Sequence, residues 1–251
     1  MKRLAILFLI AICAITSYAQ DSNDAKNIVT LVAARDFDEI LVNGDITVEC
    51  VFNADYHRYV AYSTANEDAK RIVCRNDSNR LIIDGNTEFN EINSRVVVFC
   101  TDSLKAVILN GSGNLVVKET PRLEHLHVIQ NANGSIKIGN LKAHFLRIVN
   151  NGPGSVFAED VKARRLSVVN NGNGEMKLET IKAFEGSFVS NGSTDIVLSD
   201  ILVRQASFIS NSSGSFTLSG KTRELSLVKN GTGVIDITNL SYKTISDNCA
   251  K

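Results

Sequence analysis

From residue 110 onward the apolar and polar positions of the chain recur with a fixed period. Asn stands at 110, 131, 151, 171, 191, 211 and 230, at intervals of 21, 20, 20, 20, 20 and 19 residues. Asn110, Asn151, Asn171, Asn191 and Asn230 are each followed by Gly. Three residues after each Asn come Gly113, Gly134, Gly154, Gly174, Thr194, Gly214 and Gly233. Apolar columns keep the same register. Five residues after each Asn stand Leu115, Ile136, Val156, Met176, Ile196, Phe216 and Ile235. Two further on stand Val117, Ile138, Ala158, Leu178, Leu198, Leu218 and Ile237. Alternation of period 2 is the mark of a strand with one buried face. A second alternating strand comes late in each unit, with Leu126, Leu146, Leu166, Gly186, Ala206 and Leu225 in one column. Val128, Ile148, Val168, Phe188, Phe208 and Leu227 form the next.

Three architectures carry such a pattern. A leucine-rich repeat fits Leu123-x-x-Leu126-x-Val128-x-x-Asn131, but it wants an apolar residue two positions after the Asn. Here that position holds Ser112, Asn133, Pro153, Asn173, Ser193, Ser213 and Thr232. An antiparallel meander with Asn-Gly hairpins fits the strand spacing but has no need of a constant period. A parallel β-helix does need one, because each side chain must meet its equivalent in the next coil about 4.8 Å away. The pattern therefore favours an all-β parallel β-helix, a solenoid with ~20-residue coils. In that fold the Asn column becomes a hydrogen-bonded amide ladder, and Gly or Asn supplies the positive φ of sharp corners.

Ahead of the repeat, strand-like pieces fall at 39–42, 45–51, 59–63, 71–75, 81–84, 95–100 and 104–109, and 66–70 reads as a helical turn or a loop. Residues 20–109 thus form a less regular β portion, expected to cover one open end of the solenoid. Residues 110–251 hold the regular repeats, with the tail from Ser241 expected to cap the other end. Residues 1–19 read as a signal peptide. Lys2 and Arg3 precede an apolar run over 4–15, and Ser17-Tyr18-Ala19 places small residues before a cut at Gln20. The run is too short to span a bilayer and no later stretch is longer. The mature chain is therefore expected outside the cytoplasm, in the periplasm, at the cell surface or secreted.

The stretch Phe37-Asp38-Glu39-Ile40-Leu41-Val42-Asn43-Gly44-Asp45-Ile46-Thr47-Val48, the Leu81-Ile82-Ile83 strand and the Leu109-Asn110-Gly111-Ser112-Gly113 corner resemble the head GIN domain family. Its members are described as autotransporter-type adhesins common in Bacteroides-like bacteria. The resemblance covers nearly all of the mature chain and implies a right-handed parallel β-helix in an exported protein. It offers no catalytic residue to carry over, and the four mature cysteines are a departure from it.

The composition adds limits. The 251 residues carry 27 Lys+Arg against 27 Asp+Glu and are 44% hydrophobic, which fits a folded chain and gives no basic excess for nucleic acid. The mature chain keeps 25 basic and 27 acidic residues. There are 25 Asn and 16 Gly but only 2 Pro, as suits stacked strands whose amides must donate. Cys50, Cys74, Cys100 and Cys249 are candidates for disulfides with three pairings open, or for buried free thiols. The spacing lacks CxxC, so zinc chemistry has little support.

Candidate chemistry is sparse. His125-x-His127 has no third ligand, and the repeat sets Arg147 beside His127. The acids Glu119, Glu159, Asp160, Glu179 and Asp200 near one corner are mostly followed by Lys or Arg, the pattern of solvated ion pairs. Ser167, Ser187, Ser207 and Ser226 form an outward column without a His–Asp partner. The sequence therefore nominates no catalytic, metal or cofactor site. The most suggestive feature is a basic strip: Arg122, Lys142, Lys162 and Lys182 at one position of consecutive coils, with Arg164, Arg165 and Arg204 nearby. Such a strip suits an acidic glycan or a cell-surface partner. The reading is an exported, non-enzymatic surface-binding protein of adhesin type. The alternatives are a polysaccharide lyase or glycoside hydrolase on the same scaffold, and a structural envelope protein.

Overall fold

The structure, a computed structural model, describes residues 28–64, 72–85 and 95–249. Residues 1–19, read as a signal peptide, and the segment 66–70 lie outside the described residues, as does the Cys249 side chain.

The chain ahead of the repeat forms β1 (Ile28–Ala33), β2 (Glu39–Asn43), β3 (Thr47–Phe52), β4 (Tyr59–Thr64), β5 (Ile72–Asp77), β6 (Arg80–Gly85), β7 (Arg95–Cys100) and β8 (Ala106–Leu109). The repeat follows as β9 (Asn114–Gln130), β10 (Ser135–Asn150), β11 (Val156–Asn170), β12 (Met176–Ser190), β13 (Ile196–Ser210) and β14 (Phe216–Lys229). β15 (Ile235–Ser241) and β16 (Thr244–Cys249) end it. Each strand from β9 to β14 makes nearly a whole coil; in β10 the inward–outward alternation breaks at 139–140 and again at 144–145, two bends before the Asn corner that leads to the next coil. They stack in parallel, with Ile136 on Leu115, Val156 on Ile136 and Met176 on Val156. The fold is a parallel β-solenoid, and the buried columns are those of the apolar pattern. Leu115, Leu126, Val128, Ile136, Ile148, Val156, Val168, Phe188 and Phe208 are all fully buried.

The variable coil length is absorbed at the first bend. β9 carries an extra residue beside Thr120-Pro121, where the register against β10 shifts between Asn140 and Lys142. There the Lys142 N–H donates to Thr120 Oγ1 at 2.9 Å. β14 is one residue short, and its register against β13 shifts between Leu198 and Ile201. Asp200 and Gly220 flank that step with φ of 44° and 118°.

The early strands join the same stack out of chain order. β6 pairs with β2 and β2 with β8, while β7 pairs with β3 and β3 with β9, all parallel. The coil of β2 and β3 is thus inserted between β6–β7 and β8–β9. Antiparallel strands lie outermost, β5 on β6, then β4 on β7 and β1 on β4. At the far end β15 and β16 both pair with β14, and residues 241–248 are exposed.

The corners are built differently from the sequence expectation. No corner glycine of the repeat has a left-handed φ; among the described glycines only Gly44 and Gly220 do. Their role is close approach. A Cβ on Gly174 would stand 1.8 Å from the Gly154 carbonyl oxygen, and one on Gly172 would stand 1.9 Å from that of Gly152. Adjacent corners are packed too tightly there for a side chain.

Candidate functional site

The seven Asn residues line the outside of the corner. The amide Nδ2 of Asn131, Asn151, Asn171, Asn191, Asn211 and Asn230 each donates to Oδ1 of the Asn one coil before, at 2.7–2.8 Å, the first acceptor being Asn110. Both amide groups of an interior member are engaged, so the column is a continuous hydrogen-bonded ladder.

Behind it runs an inner polar column that pattern reading missed. Gln130, Asn150, Asn170, Ser190 and Ser210 immediately precede the ladder residues and are fully buried. Strand parity places them inward, since Leu126, Val128 and Gln130 share a face. Asn150 Nδ2 donates to the Gly154 carbonyl at 3.0 Å, and Asn150 Oδ1 accepts from the Gly152 N–H at 3.3 Å. Gln130 Nε2 donates to the Gly134 carbonyl at 2.8 Å. Ser190 and Ser210 reach the Gly192 and Gly214 carbonyls, each at 3.4 Å. Gln130, Asn150, Ser190 and Ser210 thus tie the corner from within, while the Asn170 amide makes no such bond.

The residues nominated for the basic strip fall into three columns. Arg122, Lys142, Lys162 and Lys182 are in register, and the column continues through Leu202 to Lys221. Lys142 approaches Glu119 at 3.8 Å, and Lys162 pairs with Asp160 at 2.5 Å. Arg122, Lys182 and Lys221 form no ion pair with a described residue. Arg164 and Arg204 lie two residues further along the strands. Arg164 meets His144 at 3.5 Å, and the Arg204 guanidinium sits 4.8 Å above the Phe184 ring. Arg165 turns to another side, where it pairs with Glu185 of the next coil at 2.8 Å and covers the Phe145 ring. Two exposed apolar side chains interrupt the strip, Leu202 at 54% and Phe184 at 41% exposure.

Three of the five corner acids meet a cation, while Glu159 and Asp200 form no ion pair with a described residue. Besides Glu119 and Asp160, Glu179 accepts from Lys177 at 3.0 Å, and the buried Glu49 carboxylate pairs with Lys118 at 2.6 Å. Among the described residues no three His, Cys, Asp or Glu side chains gather as a metal-binding group. His125 stacks flat on Phe145 at 4.8 Å. Cys50, Cys74 and Cys100 are free thiols. Cys100 Sγ donates to the Val98 carbonyl at 3.6 Å, and burial, with Cys50 nearby, pushes its thiol well up. Burial, and after it the Asp84 carboxylate, push Cys74 up to about 11.

Near-constant coils, a closed apolar interior and repeating surface columns define a parallel β-solenoid that presents in-register side-chain arrays. No helix among the described residues is long and apolar enough to cross a membrane. The chain belongs to the family described as "Putative auto-transporter adhesin, head GIN domain", which matches residues 36–185 and again 160–250. Solved structures share the fold. One is a "putative adhesin" from Parabacteroides merdae, with TM-score 0.72 and 15% identity over 90% of this chain and 97% of that one. A second is a "putative adhesin" from Parabacteroides distasonis, with TM-score 0.68 and 15% identity over 89% of this chain and 97% of that one. A third is a "Putative lipid binding protein" from Parabacteroides distasonis, with TM-score 0.65 and 17% identity over 91% of this chain and 99% of that one. No curated protein matches the chain.

Proposed function

We propose that this chain is an exported, non-enzymatic binding protein whose basic strip holds an acidic glycan at the cell envelope or surface. The observation that carries the reading is the single register column of Arg122, Lys142, Lys162 and Lys182. Parallel strands space these cations about 4.8 Å apart, a linear positive array that attracts a linear polyanion. The N-terminal residues 1–19 support export, and the family's adhesin description supports surface binding. The pairing of Glu119, Asp160 and Glu179 with lysines supports a binding role over hydrolysis, which needs two carboxyls free to act on one bond.

A second reading is an anionic lipid surface. Leu202 and Phe184 protrude within the strip, and cations surrounding protruding apolar side chains are the pattern of interfacial binding. One solved relative is named a lipid-binding protein.

The test is binding of the purified protein to heparin, alginate and polygalacturonate, and to vesicles of phosphatidylglycerol, over a salt series. The glycan reading expects binding that weakens steeply with salt and is lost when Lys142, Lys162 and Lys182 are changed together to Gln. Absence of salt-sensitive glycan binding by the unmutated protein overturns it. Vesicle binding lost on Leu202→Ser establishes the lipid reading instead.

A further inference from the structure

A groove of about 790 Å³ runs along the solenoid axis on a surface next to the strip. It extends from the coil of His127 to the coil of Ser246, roughly 30 Å at about 4.8 Å per coil. Its floor is the buried column that includes Leu146, Leu166, Gly186, Ala206 and Leu225. One wall is a row of hydroxyls, Ser167, Ser187, Ser207, Ser226 and Ser246, each in register with the next. The facing wall holds the Arg165–Glu185 ion pair at 2.8 Å, then Gln205 donating to Glu224 at 2.7 Å. Of the seven strip residues only Arg165 lines this groove. Its formal charges, on Arg147, Arg165, Glu185 and Glu224, cancel.

We propose that this groove binds a linear, uncharged polysaccharide lying parallel to the solenoid axis. The hydroxyl row repeats at the interstrand spacing, which is close to the length of one pyranose unit in an extended glycan. Successive units of an extended glycan are turned relative to one another, so it is their spacing, not one repeated face, that lets each unit reach a serine hydroxyl. Serine hydroxyls donate and accept, as sugar hydroxyls do, and the amide and carboxylates of the facing wall supply further donors and acceptors. The balanced charge gives no reason for a polyanion to enter. An extended peptide fits less well, because strand addition needs free backbone N–H and C=O groups along an edge. Apart from β16, which pairs only with β14, the strands under the groove are paired on both sides, and a chain lying along the axis would cross them. Apolar atoms, with Phe145 and Ile245 among the lining residues, also form part of the groove, which suits the C–H faces of sugar rings and makes an acyl chain the competing occupant. The proposal stands apart from the acidic-glycan reading of the strip.

The test is calorimetry of the purified protein with cellohexaose, xylohexaose, laminarihexaose and mannohexaose, at low and high salt. At least one is expected to bind, with an affinity that salt does not change and that the triple strip variant retains. Ser187→Gln and Ser207→Gln, which place bulk in the groove without touching the core, are expected to weaken that binding about tenfold or more. Gln205→Ala, which removes a wall donor and adds no bulk, is expected to weaken it by a smaller factor, and an unchanged thermal midpoint shows that each variant folds. The proposal is overturned if none of the four binds, if binding survives both Ser variants, or if it disappears in the strip variant. It is equally overturned if decanoate occupies the groove and excludes the sugars.

Discussion

Gly186 lies directly against the ring of Phe188: a Cβ added to Gly186 would stand 2.8 Å from Cε2 of that ring and 3.1 Å from Val203 Cγ1. The coils on the N-terminal side hold Leu146 with Ile148 and Leu166 with Val168 at the same two positions. In β12 and β13 the large side chain has moved two residues along the strand, giving Gly186 with Phe188 and Ala206 with Phe208. The two rings then stack at 4.8 Å, and Phe216 meets Phe208 edge-on at 5.6 Å. The core volume is kept while its distribution changes. Gly186→Leu is therefore expected to destabilise the protein by about 1–3 kcal/mol through overpacking. Combining it with Phe188→Val, which recreates the pair found one coil earlier, should recover a good part of that loss. Denaturant unfolding of the two single variants and the double variant measures the coupling. Strict additivity of the two losses would refute the exchange.

The corner packing makes its own prediction. Gly174→Ala must push a methyl into the Gly154 carbonyl, 1.8 Å from the ideal Cβ position. The two corners have to separate, at a cost of about 1–3 kcal/mol. Gly139, whose Cβ would stand 2.2 Å from the Lys118 carbonyl, is expected to behave in the same way at the first bend. A thermal midpoint that is unchanged in Gly174→Ala would show that the corners have slack.

The inner polar column separates two amides of the same kind. Asn150 is hydrogen-bonded to the Gly154 carbonyl and the Gly152 N–H, whereas both amide atoms of Asn170 are buried with no hydrogen-bond partner. Removing a bonded buried amide costs about 1 kcal/mol or more, while removing an unbonded one relieves a desolvation penalty. Asn150→Ser is expected to destabilise. Asn170→Ser, which installs the residue type found at Ser190 in the next coil, is expected to be neutral or stabilising. Chemical unfolding of both variants decides it, and equal losses would contradict the assignment.

The outer ladder is exposed, so each bond should contribute modestly. Asn171→Ala breaks two bonds, one to Asn151 at 2.8 Å and one from Asn191 at 2.7 Å. Asn230→Ala breaks only the one to Asn211. At about 0.5–1.5 kcal/mol per bond, the interior substitution should cost roughly twice the terminal one. Unfolding curves of the two variants test the ratio.

Cys74 links structure to pH. Its thiol titrates at about 11 instead of 9.0, chiefly because burial disfavours the thiolate. The unfolded chain releases this proton near pH 9 while the folded chain holds it. The thiol's contribution to stability is thus fully present below pH 9 and is lost as pH rises toward 11. Cys74→Ser should flatten alkaline unfolding over that range. In the folded protein the alkylation rate of Cys74 should keep rising up to about pH 11, with Cys50 and Cys100 unreactive until unfolding. A plateau near pH 9 would remove the basis for this link.

Much of the repeat region could be read from its residues, for a definite reason. A solenoid coil meets its own equivalent, so the constraint on one position is written again about twenty residues later. The apolar columns, the Asn ladder and the basic column are such repeats. The corner glycines were legible in position but not in cause, because a φ requirement and a close approach leave the same mark on a sequence. The groove was visible only as a row of outward serines; its facing wall depends on the bend at His144-Phe145, which turns Phe145 and Arg165 onto the face of the serines. The inner amides carry a signal that parity reading could have found, polar residues on the buried face of the strand.

What the amino-acid sequence determined alone is the period, the strand parity and therefore the interior of the coils, since burying one face at fixed spacing leaves few other solutions. What only the tertiary structure decided is the arrangement where the period fails. β2 and β3 enter the stack between β6–β7 and β8–β9, and Asn43 donates to Asp84 at 2.6 Å across 41 residues of chain. The pairing of such segments depends on the corner Gly44 fitting between Gly85 and Gly111. Contacts between segments distant in sequence and unrelated by a repeat have no local signature, so their partners are chosen by packing in three dimensions.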